Sequence, residues 1–203
     1  MLTSFLVAGL RERKKRATRI AIRDAGMTLF ASQGFAGTTM DQIAEAADVS
    51  RATVFSYFPT KEEIIFGDAG VAIDALADRL REEDGDTITV VRAWLDELVG
   101  WFEPELVLQH RLASEVPIIG ARRLQLYGNA ERIVADALET EVGHELAARL
   151  AAASLVAALR VAEDTAATRM EQEDRALSAD EVTALLDDAV AFAKAGIAAI
   201  GSR

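Results

Sequence analysis

The chain has 203 residues, 51% of them apolar, enough to pack one large domain or a small domain joined to a larger one. It contains no cysteine, which excludes disulfides, thiolate metal sites and cysteine nucleophiles and agrees with a cytoplasmic location. The net charge of −11 is unevenly placed: residues 1–61 hold nine basic side chains (Arg11, Arg13, Lys14, Lys15, Arg16, Arg19, Arg23, Arg51, Lys61) against five acidic ones, leaving −15 for the rest, the pattern of a phosphate-facing head on an acidic body.

The apolar opening Met1 to Leu10 comes before its basic cluster instead of after one, and no small-residue cleavage site closes it, so it lacks the form of a secretory signal. Residues 1–10 are expected to be flexible. No run reaches the ~18 consecutive apolar residues of a membrane span, and no membrane partner is expected. Strand signals are scarce, and Ala, Leu, Glu and Arg at helical spacing predict an all-α fold of about nine helices. The first covers 11–32, with Ile20, Met27 and Phe30 among its buried positions, and Gly34 stops it. A second, short helix begins at Thr39, whose spacing to Gln42 is that of a capping box, and ends near Ala47. After the turn Asp48-Val49-Ser50, Ser50 caps a third helix over 51–57, and Pro59 ends it because the residue before a proline is driven from helical angles. Thr60 and Glu63 repeat the box spacing and start a fourth helix running from 61 to about 83. Further helices are predicted over 87–102, 105–115, 118–140 and 142–163, the last either continuing into the polar stretch 164–177 or leaving it as the longest linker candidate. The last runs from 178 to about 200, with Ser178 and Glu181 at box spacing.

Two short helices joined by a tight turn, the second free to place its N-terminal side chains on base edges, make a helix-turn-helix. Residues 39–57 meet that description, with Ile43, Ala44, Val49 and Val54 locking the helices together and Arg51, Thr53 and Ser56 left to point outward. Phe55 and Phe58 are assigned to the core.

The stretch GFAGTTMDQIAEAADVSRATVFSYFPTKEEII, residues 34–65, resembles the DNA-binding signature of the tetracycline-repressor (TetR) family. The match lies in Gly34-Phe35, Thr38-Thr39, Ile43-Ala44, Val49-Ser50, the aromatic cluster Phe55-Tyr57-Phe58, and Pro59 with Lys61. The resemblance implies an N-terminal three-helix DNA-binding domain over 1–65 and an effector-binding and dimerisation domain over 66–203. It implies that Thr38, Thr39, Tyr57 and Lys61 meet phosphates, Thr39 with its hydroxyl and its backbone amide, and that Arg51, Ala52, Thr53 and Ser56 face the major groove. Lys14 and Arg16 could reach neighbouring phosphates. Position 56 departs from the family's frequent His or Tyr, so recognition rests more on Arg51, Thr53 and water.

For the rest of the chain the same resemblance implies a homodimer and a small, mostly apolar effector that releases a repressor from a roughly palindromic double-stranded operator. Small and apolar residues in the last two helices, among them Ala151, Leu155, Leu159, Leu185, Ala189, Phe192 and Gly196, are the expected dimer interface. Trp94, Leu98, Trp101, Phe102 and Tyr127, with His110, Arg123 and Asn129 as polar partners, are the expected effector contacts. No cofactor, metal or catalytic residue is expected, because His110 and His144 lack ligand spacing and no phosphate-cradling glycine loop occurs. The competing readings are a DNA-binding regulator without a small-molecule effector and, more remotely, a helical enzyme.

Overall fold

The computed structural model of the protein describes residues 2–67, 69–82, 85–98, 105–173, 175 and 177–201, with side chains from Arg13 onward except those of 98, 105, 179 and 199–201. Ten helices and no strand form among these residues, as a chain rich in alanine and poor in alternating β-branched runs should. No helix among them is long and apolar enough to cross a membrane. They fall into two compact units, Met1–Gly67 and Asp68–Arg203.

The first unit holds α1 (Leu2–Gly37), α2 (Met40–Ala46), α3 (Arg51–Tyr57) and α4 (Lys61–Phe66). The 1–10 segment, expected to be flexible, is helical from Leu2; no proline interrupts it. The backbone leaves helical angles at Gly34 (φ 78°, ψ 162°), the predicted stop. Ile22, Met27 and Phe30 of α1 are buried with Ile43 and Ala44 of α2, Val54 of α3, Phe58, and Ile64 and Ile65 of α4. Ile20, expected in this core, is 47% exposed. The inward row of α1 instead follows Ile22, Gly26 and Phe30 at a strict spacing of four, and Ile20 falls on the other side of the helix. At Gly26, α1 and α4 approach closely: a Cβ there would lie 2.6 Å from Ile64 Cγ2.

The single helix predicted from 61 to about 83 is two, because the chain turns at Gly67 (φ 52°, ψ −118°) before α5 (Ala69–Glu82). Thr60 takes extended angles but makes no side-chain cap bond, so the capping box foreseen with Glu63 does not form.

The second unit continues with α6 (Thr87–Leu98), α7 (Glu105–Glu115), α8 (Pro117–Val142), α9 (Glu145–Glu173) and α10 (Ala179–Gly201). Pro117 opens α8, where its missing N–H has no helical partner to lose. Gly143 closes it in the left-handed conformation. α9 packs against both α8 and α10, and its inward Ala148, Ala151, Ala152 and Ala166 allow close backbone approach. Of the two alternatives for the polar stretch from 164, continuation of the helix is the one found, as far as Glu173, with Ala166, Ala167 and Met170 buried. Leu76, Ile88, Val91, Leu95, Leu138, Leu155 and Leu186 complete the core. α6 is tied to α10 by Arg92, whose Nε and Nη2 donate to Asp187 Oδ1 at 3.0 and 2.7 Å. Ser178 and Glu181 make the reciprocal cap expected of them, at 2.8 and 3.2 Å.

Two glycine substitutions should act with opposite signs. Gly26→Ala forces a methyl into Ile64 and should destabilise by about 1–3 kcal/mol. In Gly128→Ala, in the middle of α8, the new Cβ meets nothing within 4 Å, so the gain in helix propensity should stabilise by about 0.5–1 kcal/mol. Urea denaturation followed by circular dichroism reads both; equal effects would contradict the close approach at Gly26.

Candidate functional site

Thr39 and Ser50 decide where the two short helices begin. Thr39 Oγ1 accepts from the Gln42 N–H at 3.2 Å while the Thr39 N–H donates to Gln42 Oε1 at 2.8 Å, the reciprocal box predicted from spacing. The Ala47 N–H returns to Ile43 O at 2.9 Å and the Val49 N–H to Ala44 O at 3.0 Å, closing a turn in which Asp48 takes φ 53°, a region short polar side chains tolerate. Ser50 Oγ accepts from the Thr53 N–H at 3.1 Å and shares a 2.8 Å hydrogen bond with the Thr53 hydroxyl. α3 then buries Val54 completely, and Phe58 behind it, while Arg51, Ala52, Phe55 and Ser56 stand exposed and Thr53 and Tyr57 are half-buried.

The outward face of α3 is therefore polar and basic at its N-terminal end. Arg51 Nη1 donates to Asp41 Oδ2 at 3.1 Å, and its guanidinium lies 5.4 Å from the centre of the Phe55 ring. Phe55, assigned to the core, is 39% exposed, because Val54 and Phe58 occupy the inward row and position 55 is one step off it. Ser56 Oγ donates to Thr53 O at 2.7 Å, which leaves the oxygen as an acceptor. Lys14 and Arg16 are exposed on α1.

Several expected phosphate contacts have structural partners. Thr38 is 1% exposed and its hydroxyl donates to Gly34 O at 2.8 Å, so it closes the end of α1 and is withdrawn from the surface. The Thr39 amide is occupied by Gln42. Lys61 Nζ donates to Phe35 O at 2.8 Å and Thr38 O at 2.7 Å above the Phe35 ring, leaving one N–H for another partner. Arg19 was not singled out by its sequence. Its Nη1 donates to Tyr57 O at 2.9 Å and its Nη2 to Gly67 O at 3.3 Å, while the guanidinium sits 4.2 Å over Phe58. The carbonyls that take Lys61 and Arg19 lie far away in the chain, where no local spacing reveals them.

In the second unit, three of the expected effector residues meet. Arg123 Nε donates to the Tyr127 hydroxyl at 3.0 Å and Arg123 Nη2 to Asp164 Oδ1 at 2.7 Å; the Tyr127 hydroxyl donates to Glu163. His110 Nδ1 lies 3.2 Å from Asp164 Oδ1 but out of line for a hydrogen bond, and it has no other partner among the described residues. Glu163 and Asp164 were missed because nothing in α9 marks which turn faces α8. Burial pushes the Glu163 carboxyl above the ordinary carboxylate range, against the Tyr127 hydrogen bond and the Arg123 charge. Burial likewise raises Tyr127, and the Glu163 charge adds to it.

Trp94 belongs to the core, its indole N–H donating to Ala72 O at 3.1 Å, and Asn129 is exposed. Trp101, Phe102 and the side chain of Leu98 lie outside the described residues. Of the residues expected between protomers, Ala151, Leu155 and Ala189 are buried in the chain's own core, and Leu159 and Leu185 pack against it. Phe192 and Gly196 are exposed. The helical period of an alanine-rich sequence offers several apolar faces and does not say which is inward.

Residues 22–66 match the family described as bacterial regulatory proteins, tetR family. The HTH-type transcriptional regulator TcmR of Streptomyces glaucescens is 46% identical over 56 residues, which are 28% of this chain and 25% of that protein. The similarity thus spans about a quarter of that relative's length. A putative TetR-family transcriptional regulator from Mesorhizobium loti shares the fold with a TM-score of 0.58 at 22% identity, over 91% of this chain and 96% of that one. The Thermus thermophilus repressor FadR, solved with lauroyl-CoA, does so with a TM-score of 0.52 at 22% identity, over 88% and 94%.

Glu163 gives a pH signature. Its raised value means that the folded chain holds the proton more tightly than the unfolded one, so its contribution favours folding at acid pH and is lost as pH rises through that value. Glu163→Gln keeps an acceptor for Tyr127 and cannot ionise. Its melting temperature should therefore improve relative to the parent as pH goes from about 4 to about 7.5. A difference independent of pH would contradict the assignment.

Proposed function

From the match of residues 22–66 to the tetR family of bacterial regulatory proteins, we propose that the chain is a homodimeric, DNA-binding cytoplasmic repressor that leaves its operator when a small, mostly apolar effector binds. One observation carries the DNA reading. A seven-residue helix turns Val54 inward and leaves Arg51, Ala52 and Ser56 in solvent, on a two-helix unit closed by its own caps. Those outward groups suit base edges: Arg51 a guanine, the methyls of Ala52 and Thr53 a thymine, and Ser56 an amino donor. Lys14, Arg16 and the remaining Lys61 N–H suit phosphates, which position the protein without specifying a sequence.

Support for the dimer comes from α9 and α10. Leu146, Leu150 and Val161 on α9 and Phe192 on α10 are all exposed, Phe192 by 66%. Leu146, Leu150 and Val161 share one face of α9 by helical spacing, and an apolar helix face left in solvent suits a partner's apolar surface. The effector reading is supported by the polar group of His110, Arg123, Tyr127 and Glu163 between α7, α8 and α9, and by the lauroyl-CoA bound to the Thermus thermophilus relative. The reading without an effector draws on the same cluster, since Arg123, Tyr127 and Glu163 already satisfy one another.

Selection from random duplexes should return a roughly palindromic motif whose half-sites lie one helical turn, about 34–36 Å, or a multiple of that apart. Arg51→Ala should flatten one position of each half-site at a cost of about 1–3 kcal/mol. Phe192→Glu should sediment as a monomer, lose operator binding and keep its helical circular dichroism. A motif lacking two-fold symmetry would count against a dimer on DNA, and a Phe192→Glu protein that still sediments as a dimer would move the interface elsewhere. For the effector, a compound found by thermal shift must weaken operator binding by the factor by which the operator weakens it, typically about 5- to 150-fold. A tight binder in this unit that leaves operator affinity unchanged would favour the effector-free reading.

A further inference from the structure

Arg51 opens α3 with its guanidinium held at two points. Nη1 donates to Asp41 Oδ2 at 3.1 Å, reaching across the turn to the first turn of α2, and the Phe55 ring lies 5.4 Å away on the next turn of α3. Both charged side chains are 64% exposed, and an ion pair in that much water adds little to stability. Phe55 is also left partly in solvent, although the inward positions on either side are fully buried. An exposed carboxylate and an exposed ring converge on one arginine without closing any core.

Their common effect is on the freedom of that arginine. A long side chain samples many rotamers and must give them up to bind, so holding it beforehand removes part of that loss. One Nη1 hydrogen is committed to Asp41, which leaves the Nε–Nη2 edge with two parallel N–H donors. That pair matches O6 and N7 of guanine. We propose that Asp41 is a positioning residue for sequence recognition: together with Phe55 it presents Arg51 already oriented to a guanine in each half-site, so that base preference depends on a residue that touches no base. The proposal rests on the reading of α3 as the DNA-contacting helix.

A carboxylate in the first turn of α2 also suits the helix N-terminus. That role alone would affect stability and leave base preference untouched, so the two separate experimentally. The full chain is titrated against its selected operator and against the same duplex with the guanine pair replaced by adenine–thymine, at one salt concentration, alongside thermal melts. Wild type should prefer the guanine duplex by about tenfold or more, and Arg51→Ala should lose that preference. Asp41→Asn should lose most of it while binding non-cognate duplex at least as tightly as wild type, since a negative charge near the phosphates is gone. Asp41→Glu, which keeps the charge but moves the carboxylate by one methylene, should fall between; it also serves if Asp41→Asn melts early. An Asp41→Asn protein that keeps the full guanine preference overturns the proposal, as does one that loses both duplexes equally in step with a lower melting temperature. If wild type enriches no sequence at all, the DNA reading fails and takes this proposal with it; a wild-type motif reproduced by Asp41→Asn overturns this proposal alone.

Discussion

Seven residues are too few to hold an α-helix in water, and α3 persists because its surroundings do the holding. Val54 and Phe58 are withdrawn from solvent completely, Ser50 satisfies the Thr53 amide at one end, and Arg19 takes the Tyr57 carbonyl at the other. Lys61 extends the same arrangement to the neighbouring joint, where its ammonium gathers the carbonyls of Phe35 and Thr38 at the junction of α1 and α2. Two cations of a basic head are thus spent inside it, on carbonyls at element ends. The charge excess of the first 61 residues is in part internal fastening.

What the sequence disclosed followed the range of the interaction. Caps act within three residues, so Thr39 with Gln42 and Ser178 with Glu181 were legible from spacing; the same spacing at Thr60 produced no bond, since spacing permits a cap without compelling one. The all-helical architecture and the tetR resemblance were readable because composition and a contiguous 32-residue pattern carry them. Contacts across long separations left no local trace. Arg19 reaches a carbonyl 38 residues away and Arg123 a carboxylate 41 residues away, and neither partner could be named in advance. Where the sequence offers several faces, composition does not choose among them: Ile22 lies inward where Ile20 does not, and Ala151, Leu155 and Ala189 are buried in the chain's own core.

The second unit shows how an alanine-rich helix can be both core and surface. α9 turns alanines toward α8 and α10, permitting close packing, and leaves Leu146, Leu150 and Val161 on its far side. Its polar group is an exception to that simple layering. Arg123 faces Asp164 and the Tyr127 hydroxyl, which faces Glu163, so a half-buried carboxyl is accommodated with a hydroxyl and a guanidinium pointing at it.

Within α3, the residues that hold the fold and those that face outward are different residues. Val54, with the Ser50 cap, carries the helix; Arg51, Ala52, Phe55 and Ser56 project from it and leave the core intact when exchanged. On the proposed reading of α3 as the DNA-contacting helix, a lineage can therefore change what it contacts one codon at a time without approaching the threshold at which the chain fails to fold. A duplicated copy could drift to a new target while remaining a well-folded protein at every step.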